Sequence, residues 1–124
     1  MIYLDTHVVL WLYEGELDKI SNSVQALLRN EALFVSPTVL LELQFLYEIK
    51  RIHATADNIF NQLAREIHLQ LSDLPYQSVA QQAIQQAWTR DPFDRLIVAE
   101  AAVESRPLMT KDRLIRKHYP SAVW

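Results

Sequence analysis

Residues 91–112, DPFDRLIVAEAAVESRPLMTKD, hold a helix start, a helix, a strand and an acid at the strand's end. Asp91 before Pro92 sets a capping side chain ahead of a ring whose fixed φ suits a first helical turn. Asp94, Ile97, Val98 and Ala101 then share a helical face, and the helix is expected to reach about Glu104. Pro107 to Thr110 reads as a strand, and Asp112 opens a short helix ending near His118. A helix leading into a strand in this way is the working unit of an α/β fold.

The same alternation extends back to the start of the chain. Ile2 to Leu4 reads as a buried strand and His7 to Tyr13 as a short apolar helix. Ser21 is placed to cap a helix through about Arg29, with Val24, Leu27 and Leu28 at helical spacing. Ala32 to Val35 is the next strand. Pro37 starts a longer helix carrying Val39, Leu43, Leu46 and Tyr47 on its apolar face. Thr55 to Glu66 is helical, Leu69 to Leu71 a brief strand, Pro75 to Trp88 another helix, and Ala122 to Trp124 an edge strand. The expectation is one α/β domain over residues 1–124, a sandwich with a mostly parallel central sheet flanked by helices. Ligands of such folds gather beyond the C-terminal ends of the strands. Asp5 and Asp112 both follow predicted strands.

Composition narrows the chemistry. The 124 residues are 50% hydrophobic, enough for a real core. The net charge of −3 argues against a domain whose main task is coating nucleic acid. With no cysteine, disulfide scaffolds, thiol catalysis and Cys-ligated zinc are all excluded. The one glycine, Gly15, cannot build a phosphate-cradling glycine-rich loop. The N-terminus has no basic leader and no apolar run approaches the roughly 20 residues that span a bilayer, so a cytoplasmic protein is expected.

Four acids stand where apolar runs meet turns or helix starts: Asp5, Glu42, Asp94 and Asp112. Each has an ordinary explanation. Asp5 and Asp112 suit helix caps, and Asp94 at the third helical position suits the acidic member of a capping box. Glu42 is the exception, because it shares a face with Val39, Leu46 and Ile49. Asp91 is expected first as a cap and second as an accessory acid. Thr110 can orient a carboxylate or water, although an ordinary strand-end hydroxyl is the simpler assignment. His7 is set aside, and His53, His68 and His118 lack ligand spacing and are expected at the surface. Gathered carboxylates repel one another unless a cation offsets them. Oxygen-only donors fit Mg²⁺ or Mn²⁺.

In order and separation, MIYLDTHVVLWL, SPTVLLEL, DPFDRLIVAEA and LMTKD together resemble the PIN-domain family, and within it the VapC-type ribonuclease toxins. The resemblance spans almost the whole chain, with residues 53–88 matching only in helical character. It implies a PIN-like three-layer sandwich and an acidic pocket for Mg²⁺ or Mn²⁺. Asp5, Glu42, Asp94 and Asp112 take the positions of the family's catalytic acids, with Asp91 as a possible fifth ligand. Hydrolysis of RNA by metal-activated water is implied. So are a VapB-type antitoxin, through which alone the chain would meet DNA, and a homodimer. Val9, Trp11, Leu12 and the helix from Pro37 are candidate dimer surfaces.

Arg95, Arg113, Arg116 and Lys117 are the candidate RNA contacts, although each also fits a solvated helix face. A non-catalytic PIN-fold module binding RNA or protein is an alternative, as is a DNA nuclease with the same pocket. A phosphoryl-transfer enzyme with Asp5 as nucleophile fits poorly, since His7 stands where a second aspartate is needed.

Overall fold

A computed structural model describes residues 1–124. Five strands form one sheet: β1 (Ile2–Leu4), β2 (Leu33–Val35), β3 (Gln70–Leu71), β4 (Leu108–Met109) and β5 (Ala122–Val123). Their order is β3-β2-β1-β4-β5, and every pairing is parallel. Seven α-helices connect and flank them: α1 (Thr6–Glu14), α2 (Asn22–Asn30), α3 (Pro37–Glu48), α4 (Ala56–Ile67), α5 (Tyr76–Gln85), α6 (Pro92–Ala102) and α7 (Arg113–His118). The expected fold class therefore holds, and the sheet is wholly rather than mostly parallel.

Local chemistry explains most boundaries. Asp5, Ser36, Thr55, Asp91 and Asp112 each accept a backbone N–H at the start of a helix. Gly15 ends α1 in the left-handed region at φ 71°, where a side chain is disfavoured. Ser21 does not act as predicted: its hydroxyl pairs with Ser23 Oγ at 3.1 Å and makes no cap bond. A 3-10 turn at Leu17–Lys19 has no counterpart in the sequence expectations.

One expected helix is too long. Pro75 to Trp88 shrinks to Tyr76–Gln85, although Val79, Ala83 and Ala87 repeat at helical spacing. Beyond the helix, Trp88 stacks on His118 of α7, with ring centroids 5.3 Å apart and planes within 5°. Its indole N–H also donates to Gln86 Oε1 at 2.8 Å. These contacts hold residues 86–91 as a loop beside α7, overriding the local pattern.

The core centres on β1, β2 and β4. Ile2, Leu4, Leu108 and Met109 are sealed, with Val39 and Leu43 from α3, Ile59 and Leu63 from α4, and Ile97 from α6 against them. Truncating any of the buried leucines or isoleucines to alanine would destabilise by about 2–5 kcal/mol. Val9 is 1% exposed and belongs to this core, so it is unsuited to the dimer surface suggested from sequence. By contrast, α3 leaves Leu41 and Phe45 61% and 46% exposed. No helix is long and apolar enough to cross a membrane.

Candidate active site

The chain order of the sheet explains where a site can form. From β1 the chain builds outward through β2 and β3, then returns to the other side of β1 as β4 and β5. Connections consequently leave β1 and β4 in opposite directions, opening a crevice beyond their C-terminal ends. Asp5 follows β1 directly, and Thr110, Lys111 and Asp112 follow β4.

Asp5 is 8% exposed and tightly oriented. Its Oδ1 accepts the Thr6 N–H at 2.8 Å, and its Oδ2 accepts the Thr110 hydroxyl at 2.6 Å. Burial raises its pKa, while the bonds from Thr110 and Thr6 and the nearby His7 pull it down. Thr110 is fully buried, and its Oγ1 also accepts the Asp112 N–H at 3.1 Å. The simpler assignment of Thr110 as an ordinary strand-end hydroxyl is thus corrected: it ties Asp5 to the loop bearing Asp112.

Glu42 lies on α3, half-buried, and its Oε1 accepts the hydroxyl of buried Thr6. Its pKa is raised by burial, opposed by Thr6 and reinforced by Asp5. Thr6 and Thr110 therefore act as a pair, each presenting one hydroxyl to one of the innermost acids.

At the start of α6 the two aspartates divide their tasks. Asp91 Oδ1 accepts the N–H groups of Phe93 at 2.8 Å and Asp94 at 3.2 Å, as a cap should. The reciprocal half of a capping box is absent, because the Asp91 N–H donates to Thr89 Oγ1 at 3.2 Å instead. Asp94 is left without that structural duty, and its pKa is pushed up to about 7. Burial is the first cause, followed by the charges of Asp91, Asp5, Asp112 and Glu42. Asp112 caps α7, with its Oδ1 accepting from Leu114 and Ile115 at 2.8 and 3.0 Å.

All five carboxylates line one cavity of about 350 Å³ with His7, Trp11 and Lys111. None of the five takes part in the three ion pairs, which join Met1 to Glu31, Lys19 to Glu16 and Arg106 to Glu104. The donor set is hard oxygen, concentrated and not neutralised by any Lys or Arg, which fits Mg²⁺ or Mn²⁺. No three donors form a ready cage, which suits a cation held by one or two carboxylates and its own waters. A larger groove of about 480 Å³, lined by Leu10, Tyr13, Ile52 and Ile59 among others, gathers no comparable set of acids.

The cations differ from those read in the sequence. Arg95 donates from Nε to the Thr89 carbonyl at 2.8 Å and lines a separate shallow pocket with Pro92 and Leu96. Arg113, Arg116 and Lys117 are exposed on α7 and do not line the acidic cavity. Lys111 is the cation at its wall, and sequence reasoning passed over it. His7 had been set aside, yet it also lines the cavity. The available signal was spacing: His7 and Trp11, four residues apart on a helix capped by Asp5, must share a face.

With this geometry in hand, similarity to known proteins is informative. A family model of the PIN domain matches residues 2–119. Ribonuclease VapC22 of Mycobacterium tuberculosis is 31% identical, with 99% of this chain and 98% of that protein covered. Among solved structures, VapBC2 of Rickettsia felis bound to a DNA fragment from their promoter is similar in fold. It has a TM-score of 0.65 at 21% identity, covering 99% of this chain and 96% of the other. A toxin–antitoxin complex from Klebsiella pneumoniae gives a TM-score of 0.69 at 15% identity, covering 100% and 97%.

Proposed function

The chain belongs to the PIN-domain family, among the VapC-type proteins, and on that premise we propose that it is a metal-dependent endoribonuclease acting as the toxin of a toxin–antitoxin pair. The observation that carries this is the convergence of Asp5, Glu42, Asp91, Asp94 and Asp112 on one cavity at the crevice between β1 and β4. Asp5, Glu42, Asp94 and Asp112 are the catalytic acids. Asp5 and Asp94 are the principal ligands, and Asp91, the N-cap of α6, is accessory. When bound, Mg²⁺ or Mn²⁺ supplies polarisation of the scissile phosphate and a water more easily deprotonated.

The protein's own residues set the stage for that chemistry. Thr110 and Thr6 fix the orientation of Asp5 and Glu42, so that little reorganisation is needed when substrate arrives. Asp94, with its pKa near 7, exchanges a proton at ordinary pH unless a cation holds it ionised. Its carboxylate is therefore suited to trade a proton for a metal as the site loads.

The test is incubation of the purified protein with RNA in Mg²⁺ buffer and mapping of the new ends. The expected products carry a 5′-phosphate and a 3′-hydroxyl. A 2′,3′-cyclic phosphate would overturn the mechanism, because that product uses the RNA's own 2′-hydroxyl as nucleophile. Cleavage of single-stranded DNA in preference to RNA would favour the DNA nuclease alternative.

A VapB-type antitoxin is the proposed protein partner. This reading is supported by the fold the chain shares with VapBC2 of Rickettsia felis and with a toxin–antitoxin complex of Klebsiella pneumoniae. An Arg or Lys from the partner would occupy the acids in place of metal. The apolar groove lined by Leu10, Tyr13 and Ile52 suits a hydrophobic segment of the same partner. The exposed Leu41 and Phe45 of α3 are the surface best suited to a homodimer. The working unit is one PIN domain over residues 1–124, acting in the cytoplasm.

A further inference from the structure

Seven of the eight residues lining the acidic cavity are polar or charged, and the exception is Trp11. One part of this indole packs against the core, and Trp124 lies 5.9 Å away between ring centroids at 54°. Because it also lines the cavity, the ring is half-buried rather than sealed. It is the only large flat apolar surface offered to anything that enters.

Lys111 is the only Lys or Arg lining the same cavity. It follows Thr110 and precedes Asp112, yet it forms no ion pair with any of the five carboxylates. Its Nζ stands 5.8 Å from the Trp11 ring centroid. An ammonium over an indole face is weakly held when exposed, and a phosphate oxygen is a stronger partner. The lysine is therefore stored on the ring, within reach of an incoming anion.

We infer that Trp11 and Lys111 form a nucleotide subsite for single-stranded RNA, with the indole stacking one base and the ammonium moving from the ring to an adjacent phosphate. This rests on the proposed ribonuclease function and names how its substrate is held. The subsite calls for single-stranded RNA because a base inside a duplex has no free face to present. Stacking is tolerant of sequence, so the subsite contributes affinity and register rather than base choice. It also supplies the positive charge that the helix α7 residues do not bring to the cavity.

The test is binding and cleavage of a short, mixed-sequence, fluorescein-labelled single-stranded RNA in Mg²⁺ buffer over a range of salt. Trp11→Ala is expected to weaken binding roughly 5- to 150-fold, the worth of one stacked base, and to raise KM more than it lowers kcat. Trp11→Phe keeps an aromatic face and is expected to recover most of that loss, which a purely structural role for the indole nitrogen would not explain. Lys111→Ala, an exposed position that leaves the fold unburdened, is expected to flatten the slope of log Kd against log salt by about 0.7.

Wild-type binding with unchanged Kd in Trp11→Ala and an unchanged salt slope in Lys111→Ala would overturn the subsite alone. A wild-type protein that neither binds nor cleaves RNA would overturn the ribonuclease function first, and the subsite with it.

Discussion

Asp5 and Glu100 are the two carboxylates that this fold buries, at 8% and 3% exposure, and they are treated in opposite ways. Asp5 faces a cavity shared with four other acids and accepts two hydrogen bonds aimed at its two oxygens. Glu100, on α6, has an Oε2 with no hydrogen-bond partner. Burial raises the pKa of both. For Glu100 only the hydroxyls of Ser72 and Ser36 oppose that rise, and no other charge contributes. Asp5 also feels His7 and Asp112. Burial by itself therefore does not mark a site. Convergence of several charges on one accessible cavity does.

The sharpest way to break this contrast is to neutralise one acid of each kind. Asp94→Asn should lower RNA cleavage by about 100-fold or more, since in the proposed mechanism charge stabilisation of several kcal/mol depends on the acids assigned to the metal. Glu100→Gln should cleave RNA like the wild type. Parallel cleavage assays on the two variants check this, and equal losses would erase the distinction.

Thr110→Val sharpens the comparison by taking from Asp5 the hydroxyl bonded to its Oδ2, whereas Glu100 leaves one oxygen without a partner. Loss of such an orienting bond is expected to reduce Mg²⁺ affinity or activity about 10- to 100-fold. Because the Thr110 bond lowers the pKa of Asp5, its removal should also move the acid limb of the pH–rate profile upward. A profile unmoved beside reduced activity would indicate lost packing instead.

Asp94 offers a test on stability. Its folded pKa of about 7 exceeds its ordinary value of 3.8. The stability associated with its protonated form is present below about pH 4 and is lost as pH rises towards 7. In EDTA at neutral pH, Asp94→Asn should therefore be more stable than wild type by about 1–2 kcal/mol, allowing for solvent screening of a half-exposed group. The gap should close near pH 4. Saturating Mg²⁺ should raise the wild-type melting temperature and reverse the order, because only the intact site gains from the ion.

The smallest effect falls on Glu100. Glu100→Gln should stabilise the protein by about 1 kcal/mol at neutral pH, by removing a carboxylate whose ionised form burial disfavours. Thermal melts at two pH values would check it, and a destabilised variant would mean that the Ser72 and Ser36 hydroxyls outweigh the cost of burying Glu100.

Much of the fold was legible because its signals are local. Caps at Asp5, Ser36, Thr55, Asp91 and Asp112 and prolines at positions 37 and 92 mark helix starts through short-range bonds. Asp5, Asp94 and Asp112 were legible for the same reason, since each stands at such a boundary, whereas Glu42, inside α3, stood out by its apolar face. Their common cavity follows from the strand order, in which β1 lies beside β4, and no local pattern states that order. Features that depend on distant partners were misread. Helix α5 stops early because Trp88 is drawn to His118, thirty positions later. The role of Thr110 depends on Asp5, 105 positions earlier. Lys111 carries no local signal, and its place follows from Trp11, 100 positions earlier.

The bond from Thr110 to Asp5 joins two ends of the chain, and β1 finds its place only between β2 and β4. Pairings so far apart in sequence close late in folding. During synthesis, residues 2–5 are made well before residues 108–112, and the crevice exists only once both are present. The acidic pocket of a growing chain is therefore incomplete by topology until residues 108–112 have joined the sheet.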